Sequence, residues 1–160
     1  MPAFLRFLML LALVVWLGGI LFFGAVMAPA LFSILPKREL AGAVVTRTLG
    51  ALHCIGLVAG ALFLVCSLLY ARMGGTSLGW RNWLIVAMLA LTLLSQFAVS
   101  PKMVALRRDM VEIDAVAPDD ARRVEFNQLH RYSTALEQGV LVLGLVVLWG
   151  VATLRHPSME

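Results

Sequence analysis

Charged residues leave four long gaps along the chain, and apolar residues fill these gaps almost entirely. The gaps lie between Arg6 and Lys37, between Arg47 and Arg72, between Arg81 and Lys102, and between Glu137 and Arg155. Each gap supplies the roughly 17–25 residues that a helix needs to cross the hydrocarbon of a bilayer. Because lipid offers the backbone no hydrogen bonds, such segments must be helical. The pattern predicts an all-α fold, an integral membrane four-helix bundle.

The spans are predicted at about 7–34, 48–71, 82–101 and 136–154, within a single domain of residues 1–160. Composition agrees, because 61% of the residues are hydrophobic, only 14% are charged and the mean hydropathy is +0.92. A soluble domain carries about a quarter charged residues. A secretory signal is the alternative for the first span, but its apolar run exceeds the roughly 7–15 residues of such a signal. The lipid bilayer is therefore the expected partner.

The polar segment between the third and fourth spans, about 102–135, is predicted to be helical. A one-sided helix is indicated by apolar residues that recur at steps of three and four, namely Met103, Leu106, Met110 and Ile113. Pro118, Asp119 and Asp120 together are typical of a turn followed by a helix N-cap. We expect helices three and four to extend beyond the membrane as an antiparallel cytoplasmic hairpin. A disordered basic loop is the alternative.

Positive residues are divided unevenly between the two predicted faces of the membrane. The face that carries both termini has four, which are Arg6, Arg72, Arg81 and Arg155. The opposite face has nine, which are Lys37, Arg38, Arg47, Lys102, Arg107, Arg108, Arg122, Arg123 and Arg131. Because positive residues favour the cytoplasm, we expect a multi-pass protein of a bacterial-type inner membrane with both termini outside. No basic-aromatic module indicates a nucleic-acid partner.

Polar residues within the spans concentrate at the predicted cytoplasmic end. His130, Ser133 and Glu137 are spaced by three and four residues and therefore share one helix face. An ionisable residue inside a span indicates a functional site, so a small ligand or ion is expected to bind or pass here. The candidate residues are His130, Ser133, Glu137, Arg47, His53, Gln96 and Arg107. The structural alternative is that Glu137 pairs with Arg47 or Arg131 at the membrane interface.

Other functions have less support in the residues. His53 and His130 begin their spans on the same side, so a haem- or copper-binding redox protein is an alternative, yet no cluster has metal-ligand spacing. We therefore predict no cofactor and no metal site. No phosphate-binding loop, dinucleotide fingerprint or nucleophile elbow is present, and no catalytic residue is predicted. A structural assembly subunit, a homo-oligomer packed through Gly56 and Gly60, is a further alternative.

Three stretches resemble a known family. The first runs from Gly18 to Phe32, the second from Pro101 to Arg107, and the third from Phe126 to Ser133. In order and spacing they resemble the transmembrane-protein-205-like family, also called domain of unknown function 4149. The resemblance implies a compact four-helix membrane domain without an established molecular activity. The family motif positions that match are Pro29, Phe32, Pro101, Arg107, Phe126, His130 and Ser133. Glu137 departs from the family pattern, where a small amide such as Asn is expected.

Overall fold

Four long helices make up the part of the chain that the structure describes. The computed structural model describes residues 2–75, 79–110 and 116–153. The helices are α1 (Pro2–Ile34), α2 (Arg38–Arg72), α3 (Gly79–Met110) and α4 (Ala121–Ala152). All four are long and apolar enough to span a membrane. The predicted fold class, an all-helical membrane four-helix bundle, is confirmed.

The helices pack in a ring. Each packs against its neighbour in the chain, and α4 returns to pack against α1. The guanidinium of Arg6 donates to the carbonyl of Ala152 over 2.6 Å, which joins the start of α1 to the end of α4. The ring encloses an apolar core whose largest fully buried side chains include Trp16, Phe63 and Met88. This is the up-and-down arrangement that short connections between antiparallel helices produce.

Glycine allows α1 and α2 to approach closely. A β-carbon added to Gly56 of α2 would lie 2.3 Å from the indole nitrogen of Trp16 on α1. A β-carbon added to Gly60 would lie 2.9 Å from the same ring. The glycine pair that the sequence offered as a helix-packing face is thus occupied by a tryptophan of the same chain.

The outer surface is apolar, as lipid requires. Val58, Phe97 and Trp149 are 70%, 70% and 73% exposed. A soluble bundle would instead carry polar residues on this surface, with its apolar stripe turned inwards. The chain is therefore a membrane protein.

The helices are longer than the membrane is thick. At about 1.5 Å per residue, the 32 residues of α4 extend about 48 Å, whereas the hydrocarbon core is about 30 Å across. α3 continues to Met110 and α4 begins after its N-cap, Asp120, so both helices extend into the segment that is predicted to be a hairpin. Residues 111–115, at its turn, lie outside the described residues. The exact span limits stay predictions, since helix ends alone do not locate the bilayer surfaces.

Two short π-helical turns interrupt the bundle at the same end. One covers Phe23–Met27 in α1 and the other covers Ser95–Val99 in α3. A π-turn inserts extra backbone into a helix and redirects the side chains that follow, and such turns are frequent at functional sites. Both lie toward the end of the bundle where the candidate residues were predicted.

Candidate functional site

A buried histidine links three helices near the polar end of the bundle. His53 of α2 is only 2% exposed. Its Nδ1 lies 2.6 Å from Oε1 of Gln96 on α3, and its Nε2 lies 2.6 Å from Oε1 of Glu137 on α4. Both ring nitrogens therefore have a partner, as a buried imidazole requires. We call these three side chains the histidine bridge.

Each helix presents its member of the bridge for a local reason. Gln96 lies within the π-turn Ser95–Val99, which sets the direction in which its amide points. Glu137 lies one helical turn beyond Ser133, which is also buried. The antiparallel crossing of α2, α3 and α4 then brings residues of equal depth together. The bridge thus joins groups that are 43 and 84 residues apart in the chain.

The histidine bridge is compatible with two protonation states of His53, doubly protonated and neutral. With oxygen atoms facing both ring nitrogens, a doubly protonated His53 donates to Gln96 and to Glu137 and forms an ion pair with the carboxylate. If the Gln96 amide is rotated by 180°, its nitrogen donates to Nδ1 of a neutral ring, and Nε2 still donates to Glu137. Glu137 accepts a hydrogen bond in both arrangements, so it holds the imidazole of His53 in place in either protonation state.

A cavity of about 780 Å³ adjoins the bridge. Residues from all four helices line it, and Glu137 forms part of its wall. Its apolar lining includes Ile20, Phe23, Phe32, Leu49, Met103 and Leu141, and its polar lining includes Arg107, Asn127, His130, Ser133 and Glu137. Small-molecule sites typically enclose about 300–1,000 Å³, mostly apolar with a few polar groups. The cavity therefore has the size and the mixed lining of a ligand site.

Arg107 closes the outer end of this cavity. Its Nη1 donates to the carbonyl of Gly42 over 2.7 Å and to Oγ1 of Thr46 over 2.9 Å, both on α2. Its guanidinium also lies over the ring of Phe126 on α4, 5.5 Å from the centroid. Gly42 permits the approach, because an added β-carbon would lie 3.0 Å from the guanidinium carbon. Arg107 thus ties α2, α3 and α4 together beyond the histidine bridge.

The remaining predicted residues are distributed unevenly. Ser133 is buried and His130 is exposed, and both line the large cavity. Pro29 and Phe32 line it from the end of α1. Pro101 instead lines a second cavity of about 400 Å³, together with Gln96. The motif positions that carried the family resemblance therefore surround one cavity, with Pro101 excepted.

The structure does not show the alternative pairing of Glu137 with Arg47 or Arg131. Glu137 pairs with His53 instead. Both arginines are exposed. Arg47 makes no hydrogen bond or ion pair with the described residues. Long charged side chains near a helix end extend toward water, whereas Glu137 lies too deep to follow them.

His53 and His130 do not meet as a pair of metal ligands. His53 is buried with both ring nitrogens bonded, while His130 is exposed on the wall of the cavity. Within residues 2–75, 79–110 and 116–153, no three or more His, Cys, Asp or Glu side chains group together as a metal site would require. An iron or copper ion at His53 would have to displace Gln96 or Glu137.

Sequence reasoning missed several polar contacts. Thr46 and the carbonyl of Gly42 hold Arg107, although neither residue carries a charge that would single it out. At the opposite end of the bundle, the hydroxyl of Ser67 donates to Oδ1 of Asn82 over 2.8 Å. Ser95 is buried without a hydrogen-bond partner for its hydroxyl in the described residues. Ser95 belongs to the polar residues that the sequence places at the predicted cytoplasmic end, whereas only the occurrence of a polar residue inside a span could have indicated Ser67.

Comparison with known proteins gives one match. A family model described as a domain of unknown function (DUF4149) matches residues 11–112. No curated protein and no solved structure matches the chain. The matched range includes His53, Gln96 and Arg107 but ends before α4, which supplies Glu137.

Proposed function

The chain belongs to the DUF4149 family, a domain of unknown function, and on that premise we propose that it is a non-enzymatic membrane protein that binds a small amphipathic ligand. The ligand occupies the cavity of about 780 Å³ at the polar end of the bundle. Localisation in a bacterial-type inner membrane, with both termini outside, is part of the proposal.

The observation that carries this proposal is the two-sided lining of the cavity. Ile20, Leu49 and Leu141 offer an apolar wall, and Arg107 and His130 offer polar groups beside it. An amphipathic molecule matches both at once, because its apolar part leaves water or lipid while its polar part keeps hydrogen-bond partners. A polar metabolite would leave the apolar wall unmatched, and a hydrocarbon would leave the polar groups unmatched.

The state of His53 supports a binding role over catalysis. A histidine that acts as a general base needs a ring nitrogen within reach of a nucleophile or a substrate proton. Both nitrogens of His53 are bonded to Gln96 and Glu137. The buried position of His53 is consistent with a structural role, in which it holds α2, α3 and α4 together beside the cavity.

A bulky side chain placed in the cavity tests the proposal. Gly24 lines the cavity, and a β-carbon added there meets nothing within 4 Å, so we expect the ring of Gly24→Phe to occupy part of the cavity. Gly18→Phe is the matched control, because Gly18 has the same free space on the same helix but does not line the cavity.

The measurement is native mass spectrometry of the protein extracted from membranes in a mild detergent. We expect a retained small molecule on the wild type and on Gly18→Phe, and its loss from Gly24→Phe. Equal retention by all three proteins, or no retained molecule on the wild type, would contradict the proposal.

A further inference from the structure

The large cavity has two ends along the bundle axis. Its outer end lies at the polar end of the bundle and is basic, and its inner end lies nearer the middle of the bundle and is apolar. Arg107 binds Gly42 and Thr46, which precede His53 by 11 and 7 residues on α2. At about 1.5 Å per residue, the guanidinium lies about 10–16 Å further out than the histidine bridge. Arg38 and Arg123 also line the cavity, whereas Ile20 and Leu141 belong to its inner part.

Arg107 is a fixed cation without a bonded counter-ion. Its hydrogen bonds go to a carbonyl and a hydroxyl, and within the described residues no carboxylate oxygen lies within ion-pair distance. Glu39 attracts it only from further away. The Nε atom of Arg107 is buried and has no hydrogen-bond partner among the residues that the structure describes. A charge held between helices usually has a partner, so the cavity is prepared for an anion beside Arg107.

The deep carboxylate does not oppose an anion at the outer end. Among the described residues of the cavity wall Glu137 is the acidic one, and its Oε1 accepts from His53. A protonated His53 offsets its charge, and the distance along the axis separates it from Arg107. Arg123 adds positive charge at the outer end, although its Nη1 already donates to the carbonyl of Val116.

The cavity opens at the side of the bundle. Its lining includes exposed residues of α1, such as Leu21 and Ala25, and exposed residues of α4, such as Thr134 and Gln138. The opening therefore lies at the side of the bundle, between α1 and α4. In a membrane protein this side faces acyl chains, so a lipid can reach the cavity without crossing water.

We propose that the occupant of the cavity is an anionic phospholipid from the surrounding bilayer, with its phosphate beside Arg107 and one acyl chain along Ile20 and Leu141. This inference rests on the proposed function and specifies its ligand. Basic pockets between transmembrane helices are known to bind anionic head groups. The charge of the outer end, the apolar inner end and the lateral opening all match such a lipid.

The test compares two lipids in one bilayer. The full-length protein is placed in nanodiscs of equal parts phosphatidylglycerol and phosphatidylcholine, and the retained lipids are counted by native mass spectrometry. We expect about fivefold enrichment of phosphatidylglycerol on the wild type, which corresponds to the contribution of one basic residue near a membrane surface.

Two substitutions that each remove one positive charge test whether Arg107 causes the preference for phosphatidylglycerol. Arg107→Gln is expected to lower the enrichment about fivefold, whereas Arg131→Gln, an exposed arginine outside the cavity, is expected to leave it within about twofold. Arg107→Lys keeps the charge and is expected to retain most of the enrichment. The melting temperatures of Arg107→Lys and Arg107→Gln show whether each variant is folded. A lower enrichment in a folded Arg107→Gln variant is then due to the loss of the charge.

The possible outcomes distinguish this inference from the proposed function. Equal retention of the two lipids by the wild type, or full enrichment in a folded Arg107→Gln variant, overturns the anionic assignment. If Gly24→Phe then still loses both lipids, the proposed function stands. If inorganic phosphate alone displaces phosphatidylglycerol, the site binds a free anion and the lipid assignment is wrong.

Discussion

At the scale of single residues, the histidine bridge is the main polar contact between helices. His53 is fully enclosed, and Glu137 is 17% exposed, so water competes little for their hydrogen bond. A hydrogen bond to a charged group contributes about 1.5–3 kcal/mol, and removal of one buried partner leaves the other unsatisfied. The bridge therefore stabilises the assembled bundle and fixes Glu137 on the cavity wall.

A double-mutant cycle measures this contact. We expect His53→Ala and Glu137→Ala each to destabilise the protein, and their coupling free energy to be about 1–2 kcal/mol. Reversible unfolding in mixed micelles is the measurement. A cycle with Gln138→Ala, the exposed neighbour of Glu137, is the control and should give no coupling. Additive effects of His53→Ala and Glu137→Ala would show that the two side chains do not interact.

The cap of α4 gives a prediction about pH. Oδ1 of Asp120 accepts from the backbone N–H of Arg122, and its carboxylate also accepts from the guanidinium of Arg122. These bonds lower the pKa of Asp120 to about 2. Because the folded-state pKa lies below the unfolded value of about 3.9, the stabilisation is present above pH 4 and is lost as the pH falls toward 2.

Amide hydrogen exchange at the start of α4 reports this loss. We expect the protection of residues 122–124 to fall between about pH 4 and pH 2 in the wild type, after correction for the intrinsic exchange rate. Asp120→Ala should lack this protection throughout the range. Asp119→Ala, at the exposed neighbouring position, should behave as the wild type does. Protection in Asp120→Ala equal to that of the wild type would contradict the capping role.

At the scale of elements, the packing of α1 on α2 depends on glycine. Gly56→Ala forces the buried Trp16 to move, and overpacking of this kind costs about 1–3 kcal/mol. Gly18→Ala is the control, because its added methyl group meets nothing within 4 Å. We expect Gly56→Ala to lower the melting temperature and Gly18→Ala to leave it unchanged or raise it slightly. Equal melting temperatures for the two variants would contradict the packing.

Much of the element structure follows from the sequence. The charge-free gaps predict the four helices, since the chain has no other way to satisfy its backbone in lipid. The acidic cap at Asp120 predicts the start of α4. The depth of a residue along its helix also follows from the sequence, which explains why His53, Gln96 and Glu137 were all placed at one end.

The π-turns and the partners within the site do not follow from the sequence. A π-turn leaves no signal in a continuous apolar run, so the direction of Gln96 could not be predicted. Glu137 has several cations at similar depth, and only the three-dimensional structure shows that His53 of α2, and not Arg47, reaches Glu137 of α4 across the interior of the bundle. The contact between Arg107 and the carbonyl of Gly42 depends on a close approach that the sequence indicates only by a glycine.

At the scale of the whole molecule, the charges on the connections determine the proposed orientation. Nine basic residues on one face against four on the other favour a cytoplasmic hairpin and external termini. Reporter fusions at the C-terminus measure this directly. We expect a periplasmic alkaline phosphatase to be active there and a cytoplasmic green fluorescent protein to be dark. The reverse pattern would contradict the orientation but not the fold.

The cavity that all four helices line is expected to hold an amphipathic ligand. The most direct test is a crystal structure of the protein, determined from crystals that are grown in a lipidic phase. The predicted result is continuous elongated density that begins beside Arg107 and passes the histidine bridge toward Leu141. A cavity closed by Phe32 and Phe126, or one that contains only separate water molecules, would contradict the claim.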